Sequence, residues 1–173
     1  IAIGDGALRD GSSSTGSGGN SIGIGQYAGL VNRVGNALFI GDNSGRMNTT
    51  GTPNFCIGRE AGYGNNTGAY NTYIGYQSGK GIADNANANN TGVGYRSLMA
   101  ITTGGNNTSV GFESGRRITT GQFNILLGGH TGQKLAHDDA DSNVFMGYAA
   151  GAGGDDASSG ANNSATNNVG IGN

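Results

Sequence analysis

The chain has 173 residues, of which 37 are Gly, one is Pro and one is Cys; hydrophobic residues make up 34%, charged residues 12%, and the net charge is -2. So little apolar side chain excludes a bundle of packed helices, and so little charge with a single proline argues against a disordered linker. Basic residues are scattered, with Arg116–Arg117 the only basic pair, no apolar run reaches the ~20 residues of a membrane-spanning helix, and Cys56 has no partner for an intrachain disulfide, so neither nucleic acid nor membrane insertion is expected.

Along the chain one element recurs: a short strand that ends on an aliphatic residue followed by an anchor glycine. The first copy is Ile1-Ala2-Ile3-Gly4. Fuller copies read Ser21-Ile22-Gly23-Ile24-Gly25-Gln26-Tyr27-Ala28-Gly29, Asn54-Phe55-Cys56-Ile57-Gly58-Arg59-Glu60-Ala61-Gly62 and Asn71-Thr72-Tyr73-Ile74-Gly75-Tyr76-Gln77-Ser78-Gly79. The anchors are Gly4, Gly25, Gly41, Gly58, Gly75, Gly94, Gly111, Gly128, Gly147 and Gly172, at intervals of 21, 16, 17, 17, 19, 17, 17, 19 and 25 residues. A modal period of 17 with occasional extra residues is the pattern of a solenoid, in which each repeat is one coil and insertions bulge from it. Residues 1–173 are therefore expected to form a single all-β domain, a parallel β-solenoid of about ten ~17-residue coils, with insertions near 9–19, 81–89, 134–142 and 152–166. Because Ile1 already lies within a repeat, the chain reads as a fragment of a longer fibre.

The columns of this repeat carry its physics. Immediately before the anchors stand Ile3, Ile24, Ile40, Ile57, Ile74, Val93, Val110, Leu127, Met146 and Ile171. Two residues earlier stand Ile1, Ile22, Leu38, Phe55, Thr72, Thr91, Thr108, Ile125, Val144 and Val169. A spacing of two puts both columns on one face of a strand, and their aliphatic character makes them the expected inner core ladder. The residue between them includes Phe39, Cys56, Tyr73, Leu126 and Phe145 and is never charged. It is expected to point outward onto a face covered by another copy of the chain, with Cys56 a buried free thiol there.

Two corners frame each strand. Three residues after the anchor the side chain is small (Ala7, Ala28, Ser44, Ala61, Ser78, Ser97, Ser114, Thr131, Ala150), and Gly usually follows, which suits a positive φ. Leu8 and Leu98 interrupt that glycine column, so a left-handed turn is not required there. The pairs Thr50-Gly51, Thr67-Gly68, Thr103-Gly104 and Thr120-Gly121 mark a second corner. Asn36, Asn54, Asn71, Asn90, Asn107, Asn124, Asn143 and Asn168 then lead into the strands and are expected to bond the backbone locally and stack as a ladder between coils.

The Asn-x-x-Ile-Gly-x-x-Ala-Gly core with its intervening Thr-Thr-Gly-x-x-Asn resembles repeats of bacteriophage tail-fibre proteins and is similar to the head of trimeric bacterial autotransporter adhesins. The resemblance covers essentially the whole chain. It implies a left-handed β-roll in a homotrimer, an extracellular place on a virion tail fibre or a bacterial cell surface, and a structural or host-attachment role with no enzymatic activity. The period near 17 and the run Asn106-Asn107-Thr108-Ser109-Val110-Gly111-Phe112-Glu113-Ser114 look closer to the tail-fibre repeats.

Chemistry-bearing residues are few. Gly23-Ile24-Gly25-Gln26-Tyr27-Ala28 matches a dinucleotide fingerprint, but as one copy of a β-repeat it lacks the required helix, so no cofactor is expected. Asp138, Asp139, Asp141, Asp155 and Asp156, with His137, fall in the long insertions. They lack the glycine and terminal glutamate of a calcium loop and read as solvated loops without a metal. His130 has no serine or aspartate at a spacing that would build a triad, and no pair of carboxylates flanks a glycoside site. Tyr76, Tyr95, Phe112 and Tyr148 share the position after the anchor and are expected to form an aromatic ladder, with a sugar-binding stripe for a host receptor or glycan as the alternative. Glycosylation sequons at Asn48, Asn65, Asn89, Asn106, Asn107 and Asn162 arise from Asn-Thr-rich turns and indicate no compartment. An ice-binding solenoid would need a flat threonine array, which Thr72, Thr91 and Thr108 would not supply from an inward column.

Overall fold

The computed structural model describes residues 1–11, 20–83, 85–133, 135, 140–152 and 166–172. The insertions expected near 9–19, 81–89, 134–142 and 152–166 lie partly outside those residues. Every strand predicted before an anchor forms: β1 (Ala2–Ile3), β2 (Ile22–Ile24), β3 (Leu38–Ile40), β4 (Asn54–Ile57), β5 (Asn71–Ile74), β6 (Thr91–Val93), β7 (Thr108–Val110), β8 (Ile125–Leu127), β9 (Val144–Met146) and β10 (Val169–Ile171). They make one ten-stranded parallel sheet in chain order, the arrangement of a β-solenoid with one strand per coil. The register pairs like with like, as in Ile24↔Ile40, Ile40↔Ile57 and Ile57↔Ile74.

The anchors work by the absence of a side chain. Gly111 sits at φ 142°, and a Cβ there would stand 2.3 Å from the carbonyl oxygen of Gly128 in the next coil. Only glycine allows both that dihedral and that approach. The rung closes with the Gly111 N–H donating to the Val93 carbonyl at 2.8 Å. Coil-to-coil bonding continues around the far side, where the N–H of Thr102 donates to Thr119 at 2.8 Å and that of Thr49 to Asn66 at 2.8 Å.

The facing of the sheet is the reverse of the expectation. Phe39, Cys56, Tyr73, Leu126 and Phe145, expected between chains, are the buried core, with Phe39 and Tyr73 at 0% exposure. The expected core ladder of Ile3, Ile24, Ile40, Ile57, Ile74, Val93, Val110, Leu127, Met146 and Ile171 stands on the outside, half-buried or exposed. Thr72, Thr91 and Thr108 also face outward with the column before it. The physical reason lies in parity. The ladder asparagines stand two residues before the middle column and share its face, and their buried amides need the closed interior where neighbouring coils supply every partner.

That interior is thin and half polar. Asn54, Asn71, Asn90, Asn107, Asn124 and Asn143 are buried and Asn168 ends the row. Each Asn side-chain oxygen accepts both the backbone N–H and the side-chain amide of the next, as from Asn107 to Asn90 (3.0 and 3.1 Å) and from Asn124 to Asn107 (3.0 and 2.9 Å). The second amide hydrogen reaches a carbonyl of the following coil: Asn90 to Gly104 at 2.9 Å and Asn107 to Gly121 at 2.8 Å, both Thr-Gly corners, and Asn71 to Asn87 at 2.8 Å. Asn36 does not join: it stands one residue early, exposed at φ 62°, and Ala37 takes the buried place. Asn32 and Asn48 replace it, with Asn48 donating to Asn32 at 2.6 Å and Asn54 donating to Asn48 at 3.2 Å.

The small residues after the anchors are buried from Ala28 onward, with Ala7 half-buried, and their hydroxyls add rungs: Ser44 donates to the Cys56 carbonyl at 2.9 Å and Ser97 to that of Ser109 at 2.9 Å. Leu8 and Leu98 both adopt φ 50°, so the left-handed turn persists without glycine. Their side chains explain the exception. Leu8 lies over Gly23, whose missing side chain leaves room in the core, and Leu98 is fully buried in the coil whose own inward residue is Gly92.

Candidate interaction face

Because parity sends two residues of each strand outward, the sheet presents a strip two columns wide with no charged residue in any of its ten coils. Val110 is 39% exposed and Ile125 42%. Thr72, Thr91 and Thr108 are the only hydroxyls in those columns, so the strip is aliphatic and not a threonine array. An open groove beside it is lined by Ile22, Leu38, Pro53, Phe55 and Tyr70. Monomeric proteins rarely leave a continuous apolar surface of this extent.

One edge of the strip is the aromatic ladder. Tyr76 stacks on Tyr95 (centroids 5.3 Å apart, planes 13° apart) and Tyr95 on Phe112 (5.1 Å, 7°). The next coil has Gly129 at the ring position, and His130, one residue on, fills the gap edge-on to Phe112 (5.1 Å) and Tyr148 (5.5 Å). His130 is therefore a member of the ladder, a role that sequence alone did not assign.

Beside the rings runs a polar ladder that sequence reading also missed. Glu60, Gln77, Arg96, Glu113 and His130 stand two residues after their anchors, all between φ 52° and φ 58°. Gln77 donates to Glu60 at 2.8 Å and Arg96 to Gln77 at 3.0 Å. Lys80, 2.7 Å from Glu60, and the Gln77 amide hold the Glu60 carboxyl below the usual carboxylate range. The Glu113 carboxylate lies 3.2 Å from Arg116, 3.8 Å from Arg96 and 3.7 Å from His130 Nδ1. Arg96 also covers Tyr95 at 5.0 Å from the ring centroid. The constant offset from the anchor was the available signal. The array ties rung to rung.

In the core, burial pushes the Cys56 thiol up to about 12 and raises Tyr73 well above its ordinary value, with Cys56 beside it adding to the effect. The Tyr73 hydroxyl donates to Asn87 at 2.6 Å. Of the acidic insertions only Asp141 is described, accepting the Gln122 N–H at 2.6 Å; His137, Asp138, Asp139, Asp155 and Asp156 lie outside the described residues. Among the described residues no three His, Cys, Asp or Glu side chains come together as a metal site, and no helix is long and apolar enough to cross a membrane. The segment Gly23–Ala28 is strand followed by turn. Of the sequons, Asn48, Asn65 and Asn107 are buried in the hydrogen-bond network, while Asn89 and Asn106 are exposed; Asn162 lies outside the described residues.

These features define a β-solenoid with one strand per coil, an asparagine-lined interior and an uncharged outer sheet face. Comparison with family models, with curated proteins and with solved structures returns no match for the chain.

Proposed function

We propose that this chain is a structural and adhesive segment of a bacteriophage tail fibre, a stiff homotrimeric shaft or head used in attachment to the host surface, and that it is not an enzyme. The observation that carries the reading is the outer strip: ten coils of outward Ile, Val, Leu, Met, Phe and Thr without one charge. Such a strip is unfavourable in water and favourable between copies, where each half-exposed aliphatic side chain loses its remaining apolar surface at roughly 25 cal/mol per Å². The resemblance of the repeat to tail fibres names the setting, outside the cell on a virion. The head of a trimeric autotransporter adhesin on a bacterial surface is the alternative owner of the same scaffold.

Mass measurement in solution tests the assembly, with a species of three chains expected and a single-chain species fatal to the reading. Attachment is tested by adding the purified protein to host cells before infection; a fibre segment of this kind reduces adsorption. A second reading, a glycan-binding or glycan-degrading domain on the same scaffold, draws on the exposed rings of Tyr95, Phe112 and Tyr148. It predicts retention on host polysaccharide, lost with Tyr148→Ala, and release of sugar products would replace the structural reading with an enzymatic one.

A further inference from the structure

Five residues after the anchor, alternate coils carry a cation. Arg9, Arg46, Lys80 and Arg116 hold this place in the β1, β3, β5 and β7 coils. The coils between them carry no charge there: Leu30, Tyr63, Met99 and Gln133 in β2, β4, β6 and β8. The row ends at Ala152 in the β9 coil. The column is a true ladder, because the N–H after each member donates to the carbonyl of the member in the next coil. Val31 donates to Arg46 at 3.3 Å, Met47 to Tyr63 at 3.0 Å, Gly64 to Lys80 at 2.9 Å, Gly81 to Met99 at 2.9 Å and Ala100 to Arg116 at 3.1 Å. Successive cations therefore stand two rungs apart, about 9.6 Å.

These cations keep donors to offer. Arg46 has no carboxylate partner among the described residues. Its Nη1 donates to Asn43 at 3.2 Å, its Nε has no acceptor, and its guanidinium lies between the rings of Tyr27 (5.2 Å) and Tyr63 (5.9 Å). Lys80 meets Glu60 at 2.7 Å with one of its three donors, and Arg116 meets Glu113 at 3.2 Å through Nη1 alone. Arg9 is exposed and pairs only with its neighbour Asp10. The polar ladder two residues after the anchors shares this surface, as those contacts show. In the two columns together five cations (Arg96 with the four above) stand with two carboxylates, a surplus of three positive charges in a chain whose net charge is -2.

We propose that this surface binds a linear acidic polysaccharide that carries a carboxylate on every second sugar, laid along the rod with one sugar per coil. An extended chain of equatorially linked hexoses advances by about one rung per sugar and turns alternate sugars over. Carboxylates two sugars apart thus leave the chain on the same side and meet cations two coils apart, while the neutral sugars lie over Tyr63 and Met99. An acidic peptide strand does not fit: at about 3.3 Å per residue it needs three residues for two coils, and side chains three apart point to opposite sides. Part-exposed ion pairs such as Lys80–Glu60 contribute little in water, so a ligand carboxylate can share the cation at small cost. The site lies off the outer strip and apart from the rings of Tyr95, Phe112 and Tyr148, and it stands whether or not copies associate.

Hyaluronan oligosaccharides, which alternate a uronate with a neutral sugar, are titrated calorimetrically into the whole chain at low salt, at a length of about eight sugars, one per coil. The expected result is binding that a neutral cello-oligosaccharide of equal length does not show, and that is lost near 1 M salt, where the screening length is about 3 Å. The deciding variant combines Lys80→Met with Met99→Lys, which keeps the net charge and moves one cation by one coil. It is expected to bind about tenfold more weakly with an unchanged urea midpoint. Should it fail to fold, Arg46→Gln, which leaves no carboxylate without its partner, is expected to weaken binding by a similar factor. No binding by the native chain overturns the proposal. So does equal affinity of the folded variant, which would reduce the effect to net charge, or equally tight binding of polyglutamate or single-stranded DNA. Chain number does not enter these outcomes, so the self-association reading fails or holds separately.

Discussion

The side-chain oxygen of Asn90 accepts two hydrogen bonds from Asn107, one from its backbone N–H at 3.0 Å and one from its amide at 3.1 Å. Asn107 does the same for Asn124 one coil later. Asparagine is the residue that fits, because one short side chain accepts from the following coil, as Asn107 does from Asn124, and donates both to the asparagine of the preceding coil and to a carbonyl of the following one.

Asn107→Ala breaks this row in a fully buried place. The backbone N–H and amide of Asn124 lose their acceptor and the Gly121 carbonyl loses a donor. The expected cost is about 2–4 kcal/mol, read as a lowered midpoint in urea. Asn106→Gly, one residue earlier but exposed at φ 59°, changes the midpoint little, since glycine accepts that dihedral.

Gly111→Ala meets the Gly128 carbonyl at 2.3 Å and a φ of 142°. Neighbouring rungs must separate, so a loss of more than about 3 kcal/mol is expected, enough to lower the thermal midpoint sharply or prevent folding. Normal melting of this variant would show that the coils are not stacked as described.

Raising the pH should unfold the protein through its core. Free thiols ionise near 8.5–9, whereas the folded state holds Cys56 neutral to about 12. The folded pKa is the higher one, so the stabilisation is complete below pH 8 and is lost as pH rises towards 12. At pH 10.5 the Cys56 contribution falls by about 2 kcal/mol, and Tyr73, also raised, adds to it in the same direction. Urea midpoints at pH 8 and 10.5 measure this, and Cys56→Ala should weaken the dependence. The same burial predicts that thiol reagents label Cys56 only after denaturation.

Phe112→Ala removes the middle ring of the ladder, separating Tyr95 from His130. Because these rings are partly exposed, the expected cost is modest, about 1 kcal/mol. Near-ultraviolet dichroism, which reports ordered tyrosines, should fall more than the stability does.

The repeat, the strands, the anchor glycines and most of the asparagine row were legible in the sequence because each repeats at a fixed offset and answers to backbone geometry. The facing of the sheet was not. Alternation shows that Ile57 and Phe55 share one side and Cys56 takes the other, but it is silent on which side is enclosed. Aliphatic residues outside and Gly92, Ser109 and Cys56 inside invert the usual rule, since the outer strip has its own apolar burial to make. The asparagines held the answer: Asn54 and Cys56 are two apart and share a face, and a row of amides saturated by its own coils belongs inside. Asn36 was misplaced by a single residue, the smallest slip that sends a side chain to the other face. The ring role of His130 was hidden because it stands one position late, behind Gly129.

Among the described residues each coil bonds to the coil before it and the coil after it, so the interior of a coil does not depend on how many coils there are. Duplication or deletion of one period by recombination would lengthen or shorten the rod by about 4.8 Å while leaving every remaining joint as it was. Reach thus becomes a property that evolution, or an engineer, can adjust in whole steps without redesigning the protein.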